Sequence, residues 1–187
     1  PSFCHFRVGH SEDKMKGPLH NWKSMRSQPV SILGNGVSGK GVLNLLETLK
    51  WEGRIYDEKV ELFDEKAARE SSVVVISPGF QRNHPWIELA VANQTTVLTE
   101  LDFASCFLFS PIVSITGTNG KTTLTSLLAH LWRKMQRPCV TAGNIGRSLS
   151  QVIAEGMEQD SLVFLETSSF QSQMLSYMKP DSALWTN

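Results

Sequence analysis

A loop rich in glycine, with a lysine and two hydroxyls behind it, is the clearest chemical signal in the sequence. Ile112-Val113-Ser114-Ile115 leads through Thr116 into Gly117-Thr118-Asn119-Gly120-Lys121-Thr122-Thr123, and an amphipathic segment follows. Strand, tight loop and helix is the setting a phosphate-binding loop needs. Gly117 and Gly120 let the backbone approach phosphate oxygens without a Cβ in the way. The loop N–H groups and the helix N-terminus then favour an anion. Lys121 reaches the outer phosphates, and the Thr122 hydroxyl is placed to ligate Mg²⁺. The usual pattern has a glycine six positions before the lysine, where this chain has Ile115. A plain strand-to-helix turn with an incidental lysine is the alternative.

Two downstream runs add polar groups. Cys139-Val140-Thr141-Ala142 reads as a strand running into Gly143-Asn144-Ile145-Gly146, where Asn144 offers a donor and an acceptor. Leu162-Val163-Phe164-Leu165 reads as a buried strand ending in Glu166, with Thr167-Ser168-Ser169-Phe170-Gln171 directly after it. Mg²⁺ takes one or two carboxylates together with phosphate oxygens, so Glu166 is the expected metal ligand. Glu166 and the serines also suit a helix cap, and both roles are expected.

An earlier glycine turn carries a second signal. Val30-Ser31-Ile32-Leu33 reads as a strand entering Gly34-Asn35-Gly36-Val37-Ser38-Gly39, followed by a helical face of Val42, Leu45, Leu46 and Leu49. Gly53 breaks that helix, and Arg54-Ile55-Tyr56 forms a strand ending at Asp57. An acidic residue about twenty positions past the turn completes a Rossmann-like pattern. The pattern is specific for topology and leaves NAD, FAD, a nucleotide sugar or a structural turn open.

The remaining elements position these groups. Ser72-Val73-Val74-Val75-Ile76 is an apolar run typical of a parallel strand covered on both faces, and it opens into Ser77-Pro78-Gly79-Phe80. A helix is expected from His84-Pro85, with Ile87, Ala90 and Val91 inward and His84 at its entry. Thr96-Val97-Leu98 is a short strand. After the phosphate loop, Leu124, Leu127, Leu128, Leu131 and Met135 follow the spacing of one buried helical face, and Pro138 ends it. Leu149, Val152 and Ile153 mark a further helix, and Leu184 to Thr186 a further strand.

Composition narrows the class. The 187 residues carry 18 basic and 18 acidic side chains, which removes any charge argument for a nucleic-acid partner. Cys4, Cys106 and Cys139 are scattered, which argues against a disulfide framework or zinc site and fits a reducing cytoplasm. Phe103 to Ile115 is too short to span a membrane and is broken by Pro111. Residues 1–28 hold Cys4, His5, His10 and His20 without a metal-ligand spacing and read as a flexible extension.

The fold expected is α/β. A Rossmann-like nucleotide-binding domain at 29–110 precedes the first part of a P-loop-type α/β ATPase domain at 111–187.

In combination, Gly34–Gly39, Gly117–Thr123, Gly143–Gly146 and Glu166–Gln171 resemble the Mur ligase family over about residues 29 to 187. The short phosphate loop is normal there, and the Glu-x-Ser-Ser-Phe-Gln run points to the D-glutamate-adding branch. The leucine usual in that run is Thr167 here. The resemblance implies an ATP- and Mg²⁺-dependent ligase. It phosphorylates the carboxylate of UDP-N-acetylmuramoyl-L-alanine, and the D-glutamate amine attacks the acyl phosphate. It assigns Gly117 to Thr123 to ATP, Lys121 and Glu166 to catalysis, and Thr122 and Glu166 to Mg²⁺. Asn144, Ser168 and Gln171 would contact muramoyl-alanine. Gly36, Val37, Ser38, Asp57, Glu58, Lys59 and Gly79 would hold the uridine diphosphate, although Glu58 stands where a small hydroxylated residue is common. The resemblance also implies further domains after Asn187, so this chain is expected to be an N-terminal piece that does not turn over alone. Another Mur-type or folylpolyglutamate-type ligase, a nucleotide-sugar-binding module, and last an NAD oxidoreductase are the rival readings.

Overall fold

The computed structural model describes residue 19, residues 27–158 and residues 160–187. The expected flexible extension and its Cys4, His5, His10 and His20 lie outside the described residues, but Leu19 is described and fully buried. Chain order is β1 (Val30–Leu33), α1 (Val37–Leu49), β2 (Gly53–Tyr56), α2 (Glu65–Glu70), β3 (Val73–Ile76), α3 (Pro85–Ala92), β4 (Thr96–Thr99) and α4 (Glu100–Ser105). It continues with β5 (Ile112–Thr116), α5 (Lys121–Lys134), β6 (Cys139–Gly143), α6 (Leu149–Glu155), β7 (Leu162–Glu166), α7 (Ser169–Met174) and β8 (Ser182–Trp185). The alternation of strands and helices is that of an α/β protein.

Both sheets are wholly parallel. The first has order β2-β1-β3-β4 and the second β6-β7-β5-β8. Strands β1 and β3 are buried along their whole length, as apolar runs covered by helices on both faces must be. In the first sheet the chain leaves β1 for β2 on one side and for β3 on the other. In the second, β5 lies between β7 and β8. A reversal of strand order opens a crevice at the strands' carboxyl ends. The glycine turn follows β1 and the lysine-bearing loop follows β5, so both occupy such positions.

One apolar core joins the sheets. Val30, Ile32, Leu45, Leu46, Val73 and Leu98 cluster with Ala142, Leu149, Val152, Val163 and Leu165. Helix α1 lies against α6, and Asn44 Nδ2 donates to Gln151 Oε1 at 2.7 Å. A second cluster under α2 and α3 gathers Leu33, Tyr56, Phe63, Val74, Ile76 and Ile87.

Two expectations about helix faces need correction. Leu127, Leu131 and Met135 are 50%, 48% and 60% exposed, not buried. Helix α5 buries Thr125 and Ala129 instead, with Leu124, Leu128 and Trp132 partly covered. Each residue advances a helix by about 100°, so the buried face sits about one residue around from the leucine stripe. Small side chains let α5 lie close on β5 and β7. Val91 is 61% exposed, and Ile87 and Ala90 form the buried face of α3, with Trp86 and Leu89 partly covered beside them. Helices α2 and α4, each six residues, were not read from the sequence. His84 does enter α3 as expected, its Nδ1 accepting from the Trp86 N–H at 3.2 Å.

Candidate functional site

The phosphate-type loop is built by β5 and α5. Gly117 has φ of 134°, and a Cβ there would lie 2.2 Å from Thr186 Oγ1, so the position excludes larger residues. Gly120 caps α5, and no side chain fills that cap. The N–H groups of Thr118 and Asn119 donate to one oxygen, Asn187 Oδ1, at 2.9 and 3.0 Å. Two successive N–H groups converging on one acceptor form an anion-binding nest. Lys121 Nζ lies over the same loop, donating to Gly117 O at 2.8 Å and Thr118 O at 3.1 Å. Thr122 and Thr123 are exposed at the start of α5.

Glu166 and Asn144 are brought together by the register of the second sheet. Ile115 pairs with Glu166, and Gly143 pairs with Glu166 on the other side. The Asn144 N–H donates to Glu166 O at 2.9 Å. Its side-chain Nδ2 donates to Glu166 Oε1 at 3.2 Å. Glu166 is 1% exposed, and its Oε2 is buried with no hydrogen-bond partner among the described residues. A buried carboxylate oxygen left without a donor is costly unless a cation completes it. That donor chemistry fits Mg²⁺. No group of three His, Cys, Asp or Glu side chains suited to a metal occurs among the described residues. Phosphate oxygens and water would therefore supply the remaining ligands. No hydrogen bond joins Thr122 to Glu166 among the described residues.

Ser168 and Gln171 form a capping box on α7. Ser168 Oγ accepts from the Gln171 N–H at 3.2 Å, and Gln171 Oε1 accepts from the Ser168 N–H at 2.9 Å. The helix-cap reading of the serine run is therefore correct for this pair, and Phe170 projects outward at 74% exposure. Gln171 also reaches the first sheet, lining a narrow cleft with Ile76, Ser77, Thr99, Glu100 and Met174.

The uridine-type residues sit at the carboxyl ends of β1, β2 and β3. Gly36 caps α1 without a side-chain bond, and Val37 is exposed beside it. Asp57 uses its oxygens on the backbone, Oδ2 accepting from Asn35 N and Oδ1 from Lys59 N, both at 3.1 Å. Those N–H groups, Lys59's first, hold its carboxyl below the usual range. Asp57 thus fixes the glycine turn against the end of β2. Glu58, Lys59 and Gly79 are exposed around it.

Two buried carboxylates escaped the sequence reading. Glu100 and Asp102 on α4 are 2% and 1% exposed. Glu100 Oε1 accepts from Ser150 N at 2.7 Å. Asp102 accepts the N–H groups of Ser176, Tyr177 and Met178. The only available signal was Thr99, which reads as a cap just before two acidic residues. Asp102 charge and, chiefly, burial push the nearby Cys106 thiol up to about 12, leaving it unreactive.

Desolvation raises the Glu100 pKa, and the Ser150 N–H only partly opposes it. Below the ordinary glutamate range both folded and unfolded chains carry the proton, and burial exacts no charge penalty. As pH rises toward the raised folded value, the unfolded chain ionises first and stability declines. Glu100→Gln keeps an acceptor for Ser150 and removes this dependence. Urea unfolding at about pH 4 and about pH 7.5 is expected to favour the variant more at the higher pH. An equal difference at both values would show that Glu100 does not carry this dependence.

The Mur ligase middle domain family matches residues 115–187. The chain is similar to the UDP-N-acetylmuramoylalanine–D-glutamate ligase of Thermoanaerobacter pseudethanolicus, 33% identical over 176 residues, covering 83% of this chain and 38% of that protein. The enzymes of that name from Christiangramia forsetii and Aquifex aeolicus are 35% and 36% identical, covering 84% and 80% of this chain. The chain spans 39% and 36% of their lengths. Among solved structures, the UDP-N-acetylmuramate:L-alanyl-gamma-D-glutamyl-meso-diaminopimelate ligase of Neisseria meningitides superposes with a TM-score of 0.53 at 19% identity. That match covers 83% of this chain and 59% of that one, and the likeness is one of fold. Residues 115–187 thus match the middle domain of the Mur ligases, and the chain is similar to D-glutamate ligases of that family through most of its own length.

Proposed function

We propose that the chain is part of an ATP-dependent ligase that joins D-glutamate to UDP-N-acetylmuramoyl-L-alanine through an acyl phosphate, in the bacterial cytoplasm. The observation that carries this is Glu166, buried at the end of β7 with an unpartnered oxygen beside the strand that delivers the lysine loop. In this reading residues 29–110 hold the uridine nucleotide and residues 111–187 belong to the ATP-binding unit.

ATP supplies the phosphoryl group that activates the substrate carboxylate, and Mg²⁺ offsets the negative charge gathered there. The N–H groups of Thr118 and Asn119 cradle phosphate oxygens. Lys121 swings from its loop carbonyls to the outer phosphates, trading two neutral acceptors for charged ones. Glu166 offers Oε2 to the metal while Asn144 fixes Oε1, and Thr122 adds its hydroxyl. Asn144, Ser168 and Gln171 contact the muramoyl-alanine part. Gly36, Val37, Ser38, Asp57, Glu58, Lys59 and Gly79 hold the uridine diphosphate. Rate enhancement then comes from positioning and charge stabilisation.

Calorimetric titration with UDP-N-acetylmuramoyl-L-alanine, with NAD as control, tests the reading. Binding of the nucleotide sugar and not of NAD is expected. NAD binding alone would sink it.

A further inference from the structure

Two carboxylates on α4 reach across from the first sheet to the second. Asp102 Oδ1 accepts from Tyr177 N at 2.9 Å and Met178 N at 2.8 Å, and Oδ2 accepts from Ser176 N at 3.1 Å and the Thr99 hydroxyl at 2.9 Å. Three consecutive N–H groups on one buried carboxylate form a charge-assisted nest with a defined direction. Glu100 takes the Ser150 N–H near the start of α6. Arg82, on the loop after β3, adds a bond to Gln173 O in α7.

The segments held in this way are not arbitrary. Ser150 follows the Gly143–Gly146 turn that presents Asn144. Ser176 to Met178 follow α7, which presents Ser168 and Gln171 at its start. The contact between α1 and α6 is mostly apolar and non-directional, with one side-chain bond between exposed groups, Asn44 to Gln151. The buried carboxylate bonds add short lengths to backbone donors that cannot rotate away.

We propose that Asp102, assisted by Glu100, is a positioning residue that fixes the separation between the uridine-holding turn and the segments contacting muramoyl-alanine. The proposal rests on the substrate reading above. One ligand must span both sheets, and a displacement of about 1 Å between its two halves weakens every contact at the far end.

Asp102→Asn keeps the side chain's size and one acceptor oxygen for Tyr177 and Met178, but removes the charge and sets an NH2 group against the Ser176 N–H and the Thr99 hydroxyl. Titration of wild type and variant with UDP and with UDP-N-acetylmuramoyl-L-alanine separates the roles. The variant is expected to hold UDP within about twofold and to lose about tenfold on the longer ligand. A merely structural role would weaken both ligands together or neither, and either result overturns the proposal. Amide exchange judges the clamp without any ligand. In the wild type, the Tyr177 and Met178 amides are expected to exchange about a hundredfold slower than unstructured peptide. That protection is expected to fall about tenfold in the variant, whose neutral amide oxygen is a weaker acceptor, while β1 and β3 keep theirs. Free-peptide rates at Tyr177 and Met178 in the wild type would overturn the clamp even where the variant does not fold. Failure of the wild type to bind UDP strikes the substrate reading instead, and leaves the exchange result to decide the clamp.

Discussion

Lys121→Ala is expected to weaken binding of ATP with Mg²⁺ by about 10- to 100-fold. The ammonium is the cation on the loop, and its present acceptors are two neutral carbonyls, Gly117 O and Thr118 O. A hydrogen bond to a charged group contributes about 1.5–3 kcal/mol net, and a tenfold change in affinity corresponds to about 1.4 kcal/mol. The lysine is only half-buried, so the substitution is expected to change folding stability by less than about 1 kcal/mol. Calorimetric titration of both proteins with ATP and Mg²⁺, beside urea unfolding, separates the two effects. Equal ATP affinity in wild type and variant would remove the loop from nucleotide binding and leave a nucleotide-sugar module as the better reading.

The sequence announced the strands well because parallel strands covered on both faces are continuous apolar runs. Val73 to Ile76 and Leu162 to Glu166 needed no alternation to be found. The glycine loops were equally legible, since their spacing reflects backbone constraints. Faces of helices were less so. The leucine stripe on α5 met the spacing rule, yet Thr125 and Ala129 won the interior because their small size brings the helix closer to the sheet. Spacing marks Asp57 as a group beside the ligand, but not that its oxygens also hold the Asn35 and Lys59 N–H groups. The α4 carboxylates were invisible for a different reason. Their partners lie 50 and 74 to 76 positions away, and no local pattern reports a buried charge satisfied by distant backbone. Sequence spacing therefore revealed the loops that could meet a ligand, while the bonds that set one sheet against the other emerged only with the fold.

Gly143→Ala is expected to destabilise the chain by about 3 kcal/mol or more, well beyond the usual cost of a single substitution. Two terms combine. Gly143 has φ of 95°, a region that L side chains rarely adopt. A Cβ at this position would also lie 2.1 Å from Glu166 O and 3.1 Å from Glu166 C. The atom struck is backbone of the neighbouring strand, so no rotamer change relieves it, and β6 must separate from β7. Gly146→Ala is the matched control, with φ of 79° and nothing within 4 Å of the added Cβ. It is expected to cost only about 1–2 kcal/mol, the backbone term alone. The difference between the two variants in urea unfolding isolates the close approach. Separation of these strands also pulls Asn144 from Glu166, which it contacts through both its N–H and its side chain. Gly143→Ala is therefore expected to lose Mg²⁺-dependent ATP binding even at a temperature where it remains folded, whereas Gly146→Ala retains it. Equal destabilisation of the two variants would show that the sheet yields at Gly143, and that the close packing beside Glu166 is not what holds the carboxylate in place.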